Sequence, residues 1–256
     1  RRGEMGKETG RAEQLAADLM RTYGGDLVSV VLYGSAARGE YVEGLSDLNV
    51  LVLLRDTAPA TLRRASELAR AWVGEGNPPP LVMGVEEWRR SADVFPIELS
   101  DIRDAHRVLH GGDPFEGITI RPDDLRLQCE HELKGKHIQL RERYLFSSGA
   151  PEELGMVMRK SLSTFLVLFR AVLRLTGEDG VREPEAVIRR TAERAGFDPA
   201  PLLEIFRARR AGGEFRPDPD SPVVTGYLEA VGRVVEFVDR LGHREQGTGD
   251  GLHTAT

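Results

Sequence analysis

The chain has 256 residues, of which 40% are hydrophobic and 30% charged, with a net charge of -6. That length suits one large domain or two small ones, and that composition suits a soluble globular protein. The negative balance argues against tight, nonspecific nucleic-acid binding, which needs phosphates neutralised by Lys and Arg. The single cysteine, Cys129, allows no intrachain disulfide, and no apolar run approaches the ~20 residues that span a bilayer. The first ten residues, RRGEMGKETG, are charged and lack the apolar centre of a signal peptide, so the expected location is cytoplasmic. Residue 1 is Arg, and Met5 is a candidate start.

Ala12, Leu15, Ala16, Leu19, Met20 and Tyr23 recur at helical spacing, with Gly24-Gly25 as a stop. Leu27 to Tyr33 reads as an apolar strand, Gly34 to Gly44 as a glycine-rich loop, and Leu48 to Leu54 as a second strand. Leu62, Ala65, Ala69 and Trp72 mark a helix closed by Asn77-Pro78-Pro79-Pro80. Leu81 to Val85 and Phe95 to Ile102 read as two further strands around a short helix at 86–92. Alternating strands and helices predict an α/β (α+β) N-terminal domain with a mixed sheet, over residues 1–118.

From about Arg121 the pattern is helical: 122–146, 151–175, 184–195, 199–211 and 222–241. The second of these carries the stripe Leu154, Met158, Leu162, Phe165, Phe169 and Leu173. Short breakers between long helices predict an all-α helical bundle over 119–243, followed by a disordered polar tail at 244–256.

The chemistry concentrates in YGSAARGEYVEGLSDLNVLVLL, residues 33–54. Glycine lets backbone approach a phosphate closely, and Ser35 beside Gly34 adds a hydroxyl donor. Asp47 and Asn49 are two apart at the entrance of a strand, so their side chains share a face. Such a pair supplies oxygen ligands for magnesium, which is usually held by one or two carboxylates plus substrate phosphates. Glu98, inside the apolar run FPIELSDI, is the candidate third acid, because a buried glutamate is costly unless paired or metal-bound. Asp101 would lie on the opposite face of that strand and is the weaker candidate.

The stretch YGSAARGEYVEGLSDLNVLVL resembles the signature of the nucleotidyltransferase superfamily. Its members include DNA polymerase beta, kanamycin nucleotidyltransferase and the minimal nucleotidyltransferases. The pattern is Gly-Ser, about a dozen residues, then Asp-x-Asp or Asp-x-Glu, with a later acid. The resemblance implies transfer of a nucleoside monophosphate from an NTP, ATP first among them, to a small-molecule or protein hydroxyl. It further implies magnesium, two ions in a fully active site, and release of pyrophosphate. By position, Gly34 and Ser35 would hold the β- and γ-phosphates and Arg38 would reach a phosphate. Asp47 would bind both ions, and Glu98 would hold the catalytic one and accept the acceptor's proton.

Asn49 departs from the pattern, since it stands where the second acid belongs. An amide offers one carbonyl oxygen and no charge. Two outcomes stay open: an active enzyme, or a weakened nucleotide-binding regulatory module of a toxin–antitoxin-like kind. Three minor readings accompany these. Lys134 or Lys136 could contact phosphates, and Arg126 with His131 resembles the ribonuclease motif of HEPN domains. His106 and His110 could share a helix face. Homo-oligomer formation is compatible with the sequence, and no membrane partner is expected.

Overall fold

The computed structural model describes residues 2–39, 47–212 and 214–246, and the side chains of 10–39, 47–212 and 214–242. The chain divides into two compact units, one ending at Arg121 and the other beginning at Pro122. The first runs α1 (Arg2–Tyr23), β1 (Leu27–Tyr33), α2 (Ser35–Arg38), β2 (Asn49–Leu54), α3 (Pro59–Arg63), α4 (Ser66–Gly74), β3 (Leu81–Gly84), α5 (Val85–Arg90), α6 (Pro96–Asp104) and β4 (His106–Gly111). The second runs α7 (Pro122–Ser147), α8 (Pro151–Leu175), α9 (Pro184–Ala195), α10 (Ala200–Ala211) and α11 (Pro222–Gln246).

The four strands form one mixed sheet in the order β3-β2-β1-β4. β1 pairs antiparallel with β2 and β4, and β2 pairs parallel with β3. The central strands are apolar almost throughout because both faces are covered. On one face Val30, Leu32, Val50, Val52 and Leu54 pack against Leu15, Leu19 and Tyr23 of α1 and Trp72 of α4. On the other, Val31, Leu51 and Leu53 pack with Trp88 of α5, Leu99 and Ile102 of α6, and Phe115. Trp88 fixes the second core in register: its indole donates to the Pro114 carbonyl at 2.8 Å, and its ring meets Phe115 edge-on. Each fully buried residue of this kind contributes about 1.5–3 kcal/mol relative to exposure.

The fold has the expected class, an α/β domain with a mixed sheet followed by a helical unit. One element is corrected. The run read as a strand at 95–102 is α6, and the sheet's fourth strand lies further on, at His106–Gly111. The alternation Phe95, Ile97, Leu99 suggested a strand, but Phe95 is exposed, so no single face was buried. Pro96 at the first helical turn loses no hydrogen bond there and carries a helical φ, and the Leu99 amide donates to the Phe95 carbonyl at 3.0 Å. Leu99 and Ile102, three apart, then share the helix face that enters the core. His106 and His110 accordingly lie on a strand, not on a helix.

In the helical unit α8 buries the whole predicted stripe from Leu154 to Leu173. Ser161 and Tyr227 share a 2.8 Å hydrogen bond between α8 and α11, which satisfies the phenol in an apolar setting. α11 continues to Gln246, three residues into the segment read as a tail, and residues 247–256 lie outside the described residues. Among the described residues no helix is long and apolar enough to cross a membrane.

Candidate nucleotide site

β1 ends at Tyr33 and the chain must turn at once. Gly34 makes the turn with φ 80 and ψ -149, a region open essentially to glycine alone. Its amide donates to the Ala105 carbonyl at 3.0 Å, which ties the turn to the end of α6. Ser35, Ala36, Ala37 and Arg38 form the single helical turn α2, and the Arg38 amide returns to the Gly34 carbonyl at 3.1 Å. Gly39 follows in the left-handed conformation. Residues 40–46, including Ser46 of the signature, lie outside the described residues.

The sheet supplies the other wall. Across the strands, Tyr33 is the partner of both Asn49 and His106, so these three form a row at one end of the sheet. Strand parity sets their face. Leu48 and Val50 enter the core against α1, whereas Leu51 and Leu53 enter the core against α6. Asn49, one step before Val50, therefore has the α6 face, and Asp47 precedes it by two. Asp47 is exposed at the strand entrance and Asn49 is half-buried. The Asn49 amide nitrogen lies so close that a Cβ on Gly34 would sit 3.2 Å from it. The glycine thus serves twice, for its backbone angles and for the approach of Asn49.

α6 brings in the acids. Glu98 is in its first turn and exposed, so it is not the buried strand glutamate expected from the sequence. The change of element also changes its relation to Asp101. In a strand, residues three apart oppose each other; in a helix they are neighbours. Asp101 places an oxygen 4.0 Å from the Arg38 guanidinium, with the two side chains 18% and 11% exposed. Burial raises the Tyr33 phenol's pKa, and the Asp101 charge adds to the rise. Sequence reasoning passed over Tyr33 and ranked Asp101 low; the available signal was Pro96, a helix-start residue. His106 completes the row, with Nδ1 2.9 Å from the Arg103 carbonyl oxygen and Nε2 3.6 Å from Asp113.

Asp47 and Asn49 offer hard oxygen donors of the kind magnesium takes, with one formal charge between them. Among the described residues no three of His, Cys, Asp and Glu gather as a metal-binding group. With a single formal charge between them, Asp47 and Asn49 fit an ion that arrives with its own phosphate ligands.

Two of the minor candidates belong to α7. The Lys134 ammonium is held at 2.7 Å by both Glu130 and Asp239, within the helical unit. Arg126 contacts Glu130 at 3.1 Å, and five residues of α7 put it about 140° around the helix from His131. The two do not share a face.

Comparison with known proteins agrees with the geometry. Residues 13–98 match the family model described as a nucleotidyltransferase domain. Among solved structures, the spectinomycin adenyltransferase from Enterococcus faecialis, determined with ATP and spectinomycin, has a similar fold. The TM-score is 0.55 at 14% identity, over 90% of this chain and 98% of that one. A search of curated proteins found no match. The matched segment runs from α1 through the Gly34 turn and β2 to Glu98, so over that segment the chain is similar to a nucleotidyltransferase domain.

Proposed function

We propose that the chain transfers a nucleoside monophosphate from an NTP, ATP first among them, to a hydroxyl of a small molecule. The observation that carries this is the Gly34 turn. It is a glycine-only backbone between Tyr33 and Ser35, with Asn49 beside it and Arg38 at the end of the same turn. A turn without a Cβ lets phosphate oxygens reach backbone amides, and a guanidinium is suited to phosphate. Support for a small-molecule acceptor is the fold neighbour, an adenyltransferase determined with ATP and spectinomycin.

In the reaction the acceptor oxygen bonds to the α-phosphorus, and the bond from that phosphorus to the bridging oxygen breaks. Pyrophosphate leaves with the electron pair. Gly34 and Ser35 hold the β- and γ-phosphates, and Arg38 offsets charge that builds on the leaving group. Asp47 and Asn49 would hold magnesium, which neutralises phosphate charge and orients the chain of phosphates when bound. Glu98, exposed on α6, accepts the hydroxyl proton.

Asn49 supports a second reading: nucleotide binding without turnover, as in a regulatory module. One titration separates the two. MgATP is titrated calorimetrically into wild type, Asp47→Ala and Asn49→Asp, and pyrophosphate release is followed with a panel of hydroxyl acceptors. Magnesium-dependent binding that vanishes in Asp47→Ala, with pyrophosphate released by wild type, supports the enzyme. Binding without release by wild type, gained on Asn49→Asp, favours the regulatory reading. Binding untouched by Asp47→Ala refutes both.

A further inference from the structure

The Arg38–Asp101 pair sits beside the turn, and the acid has no part in the chemistry above. Three observations single it out. Both side chains are largely buried, at 11% and 18% exposure, although each belongs to a polar residue type that prefers solvent. The Arg38 backbone is fixed to the turn through its 3.1 Å bond to the Gly34 carbonyl. And Asp101's charge reaches both flanks of Gly34, since it is felt by Tyr33 before the glycine and by Arg38 after it. A lone arginine on a four-residue turn would sample many rotamers, and ordering it on binding opposes affinity. A carboxylate anchored on α6, itself packed into the core through Leu99 and Ile102, removes much of that freedom in advance.

We propose that Asp101 is a positioning residue that holds Arg38 pre-oriented at the Gly34–Ser35 turn, where the guanidinium meets the nucleotide's polyphosphate. This rests on the nucleotidyltransferase reading. A guanidinium carries five N–H donors in a planar fork whose geometry suits phosphate as well as carboxylate.

The test is calorimetric binding of MgATP and of inorganic tripolyphosphate to the full chain as wild type, Asp101→Asn, Asp101→Glu, Arg38→Gln and Asp101→Asn/Arg38→Gln. Arg38→Gln is expected to weaken both ligands about 10- to 100-fold, as for loss of a charged hydrogen bond. Asp101→Asn is expected to weaken them about three- to tenfold and to add nothing once Arg38 is gone, because contacting partners couple. Asp101→Glu should recover part of the loss. A merely structural role for Asp101 would instead give the same loss in both backgrounds, and that result overturns the proposal. So does tighter binding by Asp101→Asn, which would make the carboxylate a competitor of the phosphate. Failure of wild type to bind either ligand would bring down the nucleotide reading itself, a result distinct from the other two.

Discussion

Gly34→Ala tests the turn on which the functional reading depends. At φ 80 and ψ -149 the position lies in the region that L-residues essentially do not enter. Holding a non-glycine residue in a sparsely populated region costs of order 1–3 kcal/mol. The new Cβ would also sit 3.2 Å from the Asn49 amide nitrogen, tight enough to push that side chain aside. The chain could relieve the angle by rotating, but rotation breaks the 3.0 Å bond from the Gly34 amide to the Ala105 carbonyl, itself worth about 1 kcal/mol. The two routes together bracket a loss of about 1–2 kcal/mol, which for a unit of this size lowers the melting temperature by roughly 3–10 °C. Equilibrium urea unfolding reads the loss, and MgATP calorimetry on the still-folded fraction reads the site. Affinity should fall more than the stability loss explains, because the methyl and the displaced Asn49 both occupy the phosphate's approach. A variant with an unchanged urea midpoint and unchanged affinity would refute the argument at both levels.

Three other expectations concern the helical unit. Gly155→Ala should destabilise strongly, by about 3 kcal/mol or more, because its Cβ would fall 1.7 Å from the Phe215 carbonyl oxygen, a backbone atom that cannot swing away; a near-native melting temperature would contradict this. His137 is buried on α7, and burial, then the nearby Arg141 charge, holds its pKa below the ordinary 6.5. The unfolded chain therefore binds the proton more readily, and stability should fall as pH drops below about 6.5 towards the lowered folded-state value. Urea midpoints between pH 7.5 and 5 should show a flatter slope for His137→Gln than for wild type, and identical slopes would remove His137 from the account. Cys129 is fully buried and its thiol is pushed up to about 12, chiefly by burial and further by Glu130. Thiol reagents should leave it unlabelled at pH 8 in the native protein and label it stoichiometrically in urea, and rapid native labelling would count against the α7 packing.

Much of the architecture was legible locally. The near-continuous apolar runs of β1 and β2 mark strands covered on both faces, and the 3.6-residue stripe of α8 marks a core helix; both patterns act through neighbours in sequence. Gly34, Ser35, Asp47 and Asn49 could be singled out because a tight turn and a strand entrance fix their relation over sixteen residues. What the sequence could not settle was α6. FPIELSDI satisfies a strand's alternation and a helix's spacing about equally, and only the packing of Leu99 and Ile102 against Trp88 and Phe115 chooses between them. That choice moves Glu98 from a buried strand to an exposed helical turn and brings Asp101 to Arg38 and Tyr33. It also reverses which acids share a face, since residues three apart oppose in a strand and adjoin in a helix. By itself, then, the sequence determined β1, β2 and β3, the helical second half and the tight glycine turn, all features set by short-range periodicity and backbone stereochemistry. The tertiary structure decided which acid stands beside that turn, because proximity between residues 38 and 101 is a property of packing and has no signature in local pattern.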